Sequence, residues 1–166
     1  MTFFEFYDLE PAYKVDVLEL KKKFLAFSRR FHPDHFALGS QEEQDLADEQ
    51  SAFNNKAYRV LSQPDRRLRY LLELKGVVQD GEIYTLDQEF LMDMLDLNDL
   101  VEEDATAATH NLDQLEADLF ESISPVLERY DHQTISDEDQ TLLKDYHYKK
   151  RYILRIRENL NKFAAR

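Results

Sequence analysis

The chain has 166 residues, no cysteine, and 21 basic against 34 acidic residues, which gives a formal net charge of −13. Its 43% hydrophobic content is that of a folded protein, whereas the excess of negative charge disfavours binding to nucleic acid or to anionic membranes. Because there is no cysteine, no apolar run long enough to span a bilayer and no signal-peptide pattern over residues 1–10, we expect a cytoplasmic protein without disulfides.

The charge is unevenly distributed along the chain. Residues 1–75 carry 12 basic and 13 acidic side chains, whereas residues 76–166 carry 9 basic and 21 acidic ones. The change falls at a segment bracketed by Gly76 and Gly81, where turns are favoured. We therefore expect two small helical units, residues 1–75 and residues 85–166, joined by a linker at residues 76–84.

Apolar residues in the first unit recur with a helical period. After a short helical segment within residues 3–9, Asp16 is expected to open a helix. The stripe of this helix is Val17, Leu20, Phe24, Phe27 and Phe31. Ser40 begins a capping-box pattern for a second helix, which ends before Pro64, and a shorter helix is expected over residues 65–74. The stripe of the second helix is Leu46, Phe53, Ala57 and Val60.

The first long helix also has a basic face, roughly opposite its apolar stripe. The basic residues are Lys22, Lys23, Arg29 and Arg30. The helix leads directly into the tripeptide His32-Pro33-Asp34, which lies between the two long helices. Taken alone, these features are those of a solvated basic face followed by a turn in which proline stops the helix.

The second unit is expected to be an antiparallel bundle of three helices, and no segment has the alternation of a strand. Thr85 is expected to cap the first helix and Ser136 the third, while Pro125 is expected to kink or split the second. The core stripes are Phe90, Met94, Leu97 and Val101 on the first helix, Leu112, Leu115, Leu119, Ile123, Val126 and Tyr130 on the second, and Ile153, Ile156, Leu160 and Phe163 on the third.

A second apolar strip lies beside the core stripe of the first helix in this unit. Leu91 and Leu95 are rotated from the core stripe by about 100°, with Met92 beyond them. The strip is surrounded by four acidic residues: Asp96, Asp99, Glu102 and Glu103. A corresponding strip on the last helix, away from the core stripe of that helix, consists of Tyr148, Tyr152 and Arg155. From the residues alone, the strip is either an exposed binding face or a widened core stripe.

Residues 2–75 resemble a J-domain, the module that activates DnaK-class ATP-dependent chaperones. The resemblance rests on Phe3-Phe4-Glu5, on His32-Pro33-Asp34 and on the segment Ala57-Tyr58-x-Val60-Leu61. It implies a helical hairpin in which Asp34 contacts an arginine of the chaperone and the basic face meets an acidic chaperone surface. A protein of this kind activates the ATPase of its partner and is not itself an enzyme. Many members carry lysine where this chain has His35.

The segment Phe90-Leu91-Met92-Asp93-Met94-Leu95-Asp96-Leu97 and the acidic helical second unit resemble the HscB family, J-protein co-chaperones of iron–sulfur cluster biogenesis. This resemblance implies an all-α, L-shaped two-domain protein whose partners are an HscA-like chaperone and an IscU-like scaffold. The scaffold-binding residues that carry over are Leu91, Met92, Leu95, Asp96, Asp99, Glu102, Glu103 and Tyr152. No cofactor or bound metal is expected, since the chain has no thiolate for a cluster.

Other interpretations of the residues remain. A J-protein with a different client is one, and a hydrolase that uses the carboxylates of residues 102–104 is another. His32 and His35 have a spacing seen in zinc sites, but no third ligand is apparent. The basic and aromatic segment at residues 148–152 is interpreted as the rim of a protein interface rather than a nucleic-acid site, and His147 as a packing residue.

Overall fold

The structure is a computed structural model that describes residues 1–164. It forms two compact units, the first comprising Met1–Leu71 and the second beginning at Leu72. The expected all-α class is confirmed, since residues 1–164 contain seven α-helices and a short 3-10 turn but no strand. Over the same residues, none of the helices combines the length and the hydropathy that crossing a membrane would require.

The first unit contains α1 (Phe3–Phe6), α2 (Val17–Arg30), a 3-10 turn (Pro33–His35), α3 (Gln41–Leu61) and most of α4 (Pro64–Leu74). Their order and approximate limits agree with the hydrophobic periodicity of the sequence. Pro64 is the first residue of α4, a position at which the missing amide hydrogen costs no helical hydrogen bond.

The helix starts in this unit are set by short polar side chains. Thr2 and Ser40 each form a complete capping box, with Glu5 and Glu43 respectively, as the sequence predicts for Ser40. Asp16 opens α2 by accepting hydrogen bonds from two backbone amides of the first turn, at 2.9 and 3.0 Å. These contacts satisfy donors that a helix N-terminus otherwise leaves unpaired.

Helices α2 and α3 pack as an antiparallel hairpin around a buried asparagine. The rings of Phe24 and Tyr58 stack with centroids 4.3 Å apart, and one helical turn away Asn54 donates to the Oγ of Ser28 at 3.1 Å. The Asn54 side chain also donates to the Phe24 carbonyl and accepts from the Tyr7 hydroxyl at 2.6 Å. One buried amide therefore links three helices. The Tyr7 side chain is buried as well, and its own burial raises the pKa of its hydroxyl.

The predicted apolar stripe of α3 is wrong at its first position. Leu46 is 56% exposed, and the adjacent Ala47 is buried instead. The buried residues of α3 are Ala47, Asn54, Ala57 and Leu61, so the inward-facing line includes an asparagine that a search for apolar residues does not count. Val17, placed at the start of the α2 stripe, is also 42% exposed.

Helix α4 is attached to the rest of the first unit through an arginine and a tyrosine. The ring of Tyr70 stacks on that of Phe3 at 4.6 Å. The buried Arg67 donates through Nε to the Tyr13 carbonyl at 2.6 Å and through Nη1 to the Leu61 carbonyl. Burial lowers the pKa of Arg67, and the two carbonyls compensate part of the lost hydration.

The second unit contains α5 (Gln88–Glu103), α6 (Ala105–Glu128) and α7 (Asp137–Ala164). Gly76 and Gly81 precede this bundle, and both have a positive φ that other residues rarely adopt. The cap predicted at Thr85 is wrong: Asp87 caps α5, accepting from the amide of residue 90 at 2.8 Å. Ser136 caps α7 as predicted.

Helices α5 and α7 run parallel, and α6 runs antiparallel to α7. Asp87, at the start of α5, pairs with Lys149 at 2.8 Å, while one turn further along both helices the ring edges of Phe90 and Tyr152 meet. Between α6 and α7 the pairing runs in the opposite sense, since residue 113 pairs with residue 157 and residue 116 with residue 150. The predicted bundle of three alternating helices is thus observed.

The sequence predicts that Pro125 kinks or splits α6, and the helix is not split there. The helix continues through Pro125 to Glu128. The proline lies only three residues before the end of the helix, where a missing amide hydrogen removes a single bond, and its side chain is exposed. The buried neighbours Ile123, Val126 and Leu127 hold this last turn against the bundle.

Candidate partner-binding sites

The tripeptide His32-Pro33-Asp34 forms a tight turn at the end of α2. Pro33 begins the 3-10 turn, and the ring Nδ1 of His32 accepts a hydrogen bond from the Asp34 amide at 3.3 Å. The Asp34 carboxylate is 89% exposed and lies 3.6 Å from the His32 Nδ1. The turn therefore fixes the backbone of Asp34 while its carboxylate stays available to an outside cation.

The four basic residues predicted to form a face of α2 differ in their exposure and in their contacts within the chain. Lys22 is 72% exposed and pairs with Glu19, one turn earlier on the helix, at 2.5 Å. Lys23 is half-buried and donates to the Tyr7 carbonyl at 2.5 Å, so it joins α2 to the end of α1. Lys23 thus has a structural role that its position on a helical wheel did not reveal.

The two arginines lie next to the turn and are exposed. Arg29 donates through Nε to the Leu25 carbonyl at 3.2 Å, which leaves its terminal nitrogens directed outward. The guanidinium of Arg30 lies 5.3 Å from the centroid of the Phe31 ring. Arg29 also lines a shallow groove of about 430 Å³ together with His32 and His35. The turn and the final turn of α2 thus form one exposed, largely basic surface.

The two histidines of the turn do not converge on a ligand. The ring centroids of His32 and His35 are 6.2 Å apart and perpendicular. Among residues 1–164 there is no group of three or more histidine, aspartate and glutamate side chains arranged to hold a metal ion. The geometry supports a contact surface at this end of α2.

In the second unit, α5 and α7 enclose a groove of about 390 Å³. Leu91 and Leu95 line it from α5, and Tyr152 and Arg155 line it from α7. Leu95 is 61% exposed and Leu91 is half-buried. The Arg155 guanidinium lies 5.1 Å from the centroid of the Tyr152 ring, which places a cation at the edge of an apolar channel.

The remaining predicted residues of α5 lie around this groove. Met92 is 61% exposed and does not line the groove, although it is adjacent to Leu91 in sequence. Asp96 lines a different groove, between α5 and α6. The carboxylates further along the helix, at Asp99, Glu102 and Glu103, are exposed.

The structure changes the expectation for one residue of α7 and adds two residues to the groove. Tyr148 is buried and stacks on Tyr84 at 4.6 Å, so it does not belong to the exposed strip with Tyr152. The groove also contains the amides of Asn98 and Asn159, which sequence analysis missed. Their positions follow from the parallel packing of α5 and α7, which hydrophobic periodicity within one helix does not reveal.

The residues considered for other chemistry have structural roles. The carboxylate of Asp104 caps α6 by accepting from the amide of Ala107 at 3.0 Å, and it lies in the chain between two helices. His147 is buried, with its ring edge-on to Tyr148 at 5.1 Å, as expected for a packing residue.

Comparison with known proteins connects this geometry to a family. Residues 86–161 match the model of the HSCB C-terminal oligomerisation domain. The co-chaperone protein HscB homolog of Vibrio cholerae serotype O1 is 38% identical over 103 residues, which is 61% of this chain and 60% of that protein. The homolog of Vibrio vulnificus strain YJ016 is also 38% identical, over 104 residues. The matched segment thus spans about 60% of the length of these relatives.

Solved structures extend the likeness to nearly the whole chain. The chaperone HscB from Vibrio cholerae has a TM-score of 0.74 and 26% identity, covering 99% of this chain and 98% of that one. The human co-chaperone protein HscB has the same fold, with a TM-score of 0.84 at 24% identity, covering 99% of this chain and 82% of that one. Together with the family model and the curated relatives, these matches confirm the resemblance of this chain to the HscB co-chaperones.

Proposed function

We propose that this chain is a J-domain co-chaperone that stimulates the ATPase of an HscA-like DnaK-class chaperone. At its other end it delivers an IscU-like scaffold to that chaperone and so supports the maturation of iron–sulfur proteins. Residues 1–75 are the proposed J-domain and residues 85–166 the proposed scaffold-binding domain. The cluster is cargo of the scaffold, and this chain supplies no ligand to it.

The observation that carries the proposal is the exposed carboxylate of Asp34 on a turn that begins with Pro33, next to the exposed Arg29 and Arg30. An arginine of the chaperone would find an acceptor that can take two parallel hydrogen bonds, and Pro33 limits the backbone freedom that is lost on binding. The exposed Lys22, Arg29 and Arg30 would meet an acidic chaperone surface and raise the rate of association. Lys23 contributes to this face only after giving up its bond to the Tyr7 carbonyl.

No catalytic group of this chain takes part in ATP hydrolysis on this proposal. The protein acts by binding preferentially to the hydrolysis-competent arrangement of the chaperone, since a ligand shifts a conformational equilibrium only by its difference in affinity. Bringing the scaffold to the same chaperone raises the local concentration of that client.

The groove between α5 and α7 supports the second half of the proposal. Apolar side chains line it, among them the exposed Leu95, the exposed Met92 is nearby, and exposed carboxylates follow further along α5. This combination suits a protein partner that inserts an apolar side chain and carries positive charge at the rim. We place Leu91, Leu95 and Tyr152 at its centre and Met92 beside it, with Asp99, Glu102 and Glu103 further along α5 and Asp96 on the α6 side of that helix.

The proposed compartment is the cytoplasm, with which a chain lacking cysteine is compatible. A J-protein for a different client would also have the His32-Pro33-Asp34 turn. Its α5–α7 groove, however, would not need to bind a cluster scaffold. Binding of an IscU-type scaffold to this chain distinguishes the two functions.

The first experiment tests the turn. Purified HscA-type chaperone is assayed for steady-state ATP hydrolysis with wild-type protein or with Asp34→Ala. Because a charge-assisted bidentate contact is lost, stimulation is expected to fall about tenfold or more.

Asp118→Ala serves as the matched control, since Asp118 is exposed and lies on α6. It should stimulate hydrolysis as the wild type does. Normal stimulation by Asp34→Ala would refute the assignment of the turn.

The second experiment tests the groove. The double variant Leu91→Ala/Leu95→Ala is compared with wild type for binding to an IscU-type scaffold by titration calorimetry. The dissociation constant is expected to rise about tenfold or more, because central apolar anchors dominate such interfaces. The melting temperature should change little, since Leu95 is mostly exposed.

Leu142→Ala removes another exposed leucine, at the start of α7, and should leave scaffold affinity unchanged. If the double variant lost most of its stability, Leu91 and Leu95 would instead be core residues, as in the alternative interpretation of the strip.

A further inference from the structure

A second groove, of about 270 Å³, lies on the opposite side of α5, where that helix packs against α6. Its floor is apolar, formed by the side chains of Leu97, Leu100 and Leu115, of which Leu97 is buried and the other two are half-buried. Two exposed aspartates and an exposed asparagine stand at its edge: Asp93, Asp96 and Asn111.

The carboxylates of this groove contrast with the other acidic residues of the bundle. Within residues 1–164, the side chains of Lys144, Lys149, Lys150, Arg129 and Arg157 all form ion pairs, and the one partner that belongs to the α5 end of the bundle is Asp87, the cap that precedes the helix. Helix α5 contains six acidic and no basic residues. The carboxylates of Asp93 and Asp96, at the edge of the groove, are in none of these five ion pairs.

A long basic side chain fits this combination of surfaces. The methylene stem of a lysine or arginine packs on leucine side chains, while its charged end reaches the carboxylates at the edge. Asp93, Asp96, Leu97 and Leu100 have the spacing i, i+3, i+4 and i+7, so they lie on one face of α5. A purely apolar partner would instead bury two carboxylates without compensation, which is costly.

We infer that the α5–α6 groove is a second docking surface for the scaffold partner and takes a lysine or arginine side chain of it. The inference rests on the proposed function, in which the same partner occupies the α5–α7 groove. Leu95 and Asp96 are adjacent residues that line the two grooves separately, so a partner seated on α5 contacts both sides of the helix. Asp93 and Asn111 would then contribute to partner specificity.

The test uses the cysteine-free chain, into which a single labelled cysteine can be placed. Asn111→Cys and, as control, Glu121→Cys are each labelled with a benzophenone photocrosslinker and irradiated with an IscU-type scaffold. Residue 121 is an exposed position on α6 outside the groove. We expect Asn111→Cys to crosslink to a scaffold peptide next to a lysine or arginine, and Glu121→Cys not to crosslink.

Affinity measurements give an independent readout. Asp93→Asn is expected to raise the dissociation constant about two- to fivefold by removing one rim charge. Asn111→Lys is expected to raise it about tenfold, because it places a cation of the chain itself in the groove. Glu121→Gln should leave it unchanged.

The outcomes separate this inference from the function on which it rests. If the scaffold binds, and Leu91→Ala/Leu95→Ala weakens it while Asp93→Asn and Asn111→Lys do not, the inference is overturned and the proposed function stands. A crosslink from Asn111→Cys to a second copy of this chain would also overturn it. If the wild-type chain does not bind the scaffold at all, the proposed function fails and the inference fails with it.

Discussion

In the first unit the helices are joined by stacked aromatic rings and by a buried asparagine, whereas in the second unit charged side chains bridge one helix to the next. Asn54 connects α1, α2 and α3 through hydrogen bonds that involve no carboxylate. In the bundle, the Glu116 carboxylate forms ion pairs with both Lys150 and Arg157. We therefore expect the stability of the second unit to depend on pH more than that of the first, although both are small helical units.

This difference also bears on which charges remain for partners. In the second unit, five basic side chains form internal ion pairs, which leaves fewer cations available to an outside partner. The first unit uses its buried amide for cohesion and leaves most of the cations of α2 exposed. One unit thus presents a basic surface and the other an acidic one, as expected if they bind different proteins.

The largest effect on stability is expected from Asn54→Leu. It removes the shorter of two acceptors of the Tyr7 hydroxyl, leaving the Asn54 main-chain carbonyl at 3.1 Å, and it removes the side-chain donor to the Phe24 carbonyl and the Ser28 hydroxyl. We expect the free energy of unfolding to fall by about 2–4 kcal/mol, as for other broken buried networks. Urea denaturation followed by circular dichroism measures it.

Asn55→Leu is the matched control, because Asn55 is the next residue on α3 and is exposed. It should change the stability by less than about 0.5 kcal/mol. Equal effects of the two substitutions would show that the buried amide does not hold the three helices together.

A smaller effect of opposite sign is expected from Pro125→Ala in the second unit. Alanine restores an amide donor inside α6 and has a higher helix propensity, and the exposed proline ring has little packing to lose. We expect the bundle to gain about 1 kcal/mol, measured by thermal unfolding. Pro64→Ala should give no comparable gain, since Pro64 is the first residue of α4. A destabilised Pro125→Ala protein would mean that the proline contributes packing that outweighs the missing bond.

The smallest effect is expected in the pH dependence of the second unit. Burial raises the pKa of Glu116, but hydrogen bonds from Lys150 and Arg157 outweigh it, so the pKa lies below the ordinary value of a glutamate. A carboxyl with a lowered folded-state pKa stabilises the protein above its unfolded-state pKa, and this stabilisation is lost as the pH falls through the folded-state value. Wild-type stability should therefore decrease below about pH 4.5 more steeply than that of Glu116→Gln.

Stability measured from pH 7 to pH 3 tests this expectation. The first-unit variant Asn54→Leu should keep the acid dependence of the wild type, because its network contains no carboxyl group. A Glu116→Gln protein with an unchanged pH profile would show that this ion-pair cluster does not contribute to acid sensitivity.

The helices were predictable because each is specified locally. Short polar residues such as Asp16, Ser40 and Ser136 satisfy the first amides of a helix, and the apolar period identifies its buried side. The His32-Pro33-Asp34 turn was identifiable for the same reason, since proline sets its backbone wherever it occurs. The local signal failed where a competing residue was close, as at Thr85, where Asp87 is the cap.

The arrangement of the candidate sites depended on contacts between helices. The sequence placed Lys23 with the other cations, but only the packing of α1 against α2 shows that it donates to the Tyr7 carbonyl. Asp96 was predicted at the border of the leucine strip, yet it lines the groove on the α6 side of the helix.

The sequence by itself determined the helical class, the helix starts, the division of charge and the turn that carries Asp34, because these depend on residues within a few positions of each other. Only the tertiary structure decided which side chains share a surface. Leu95 and Tyr152 line one groove because α5 and α7 run parallel, and Tyr148 is removed from it by stacking on Tyr84. Such neighbours are distant in sequence, and their meeting depends on how whole helices pack.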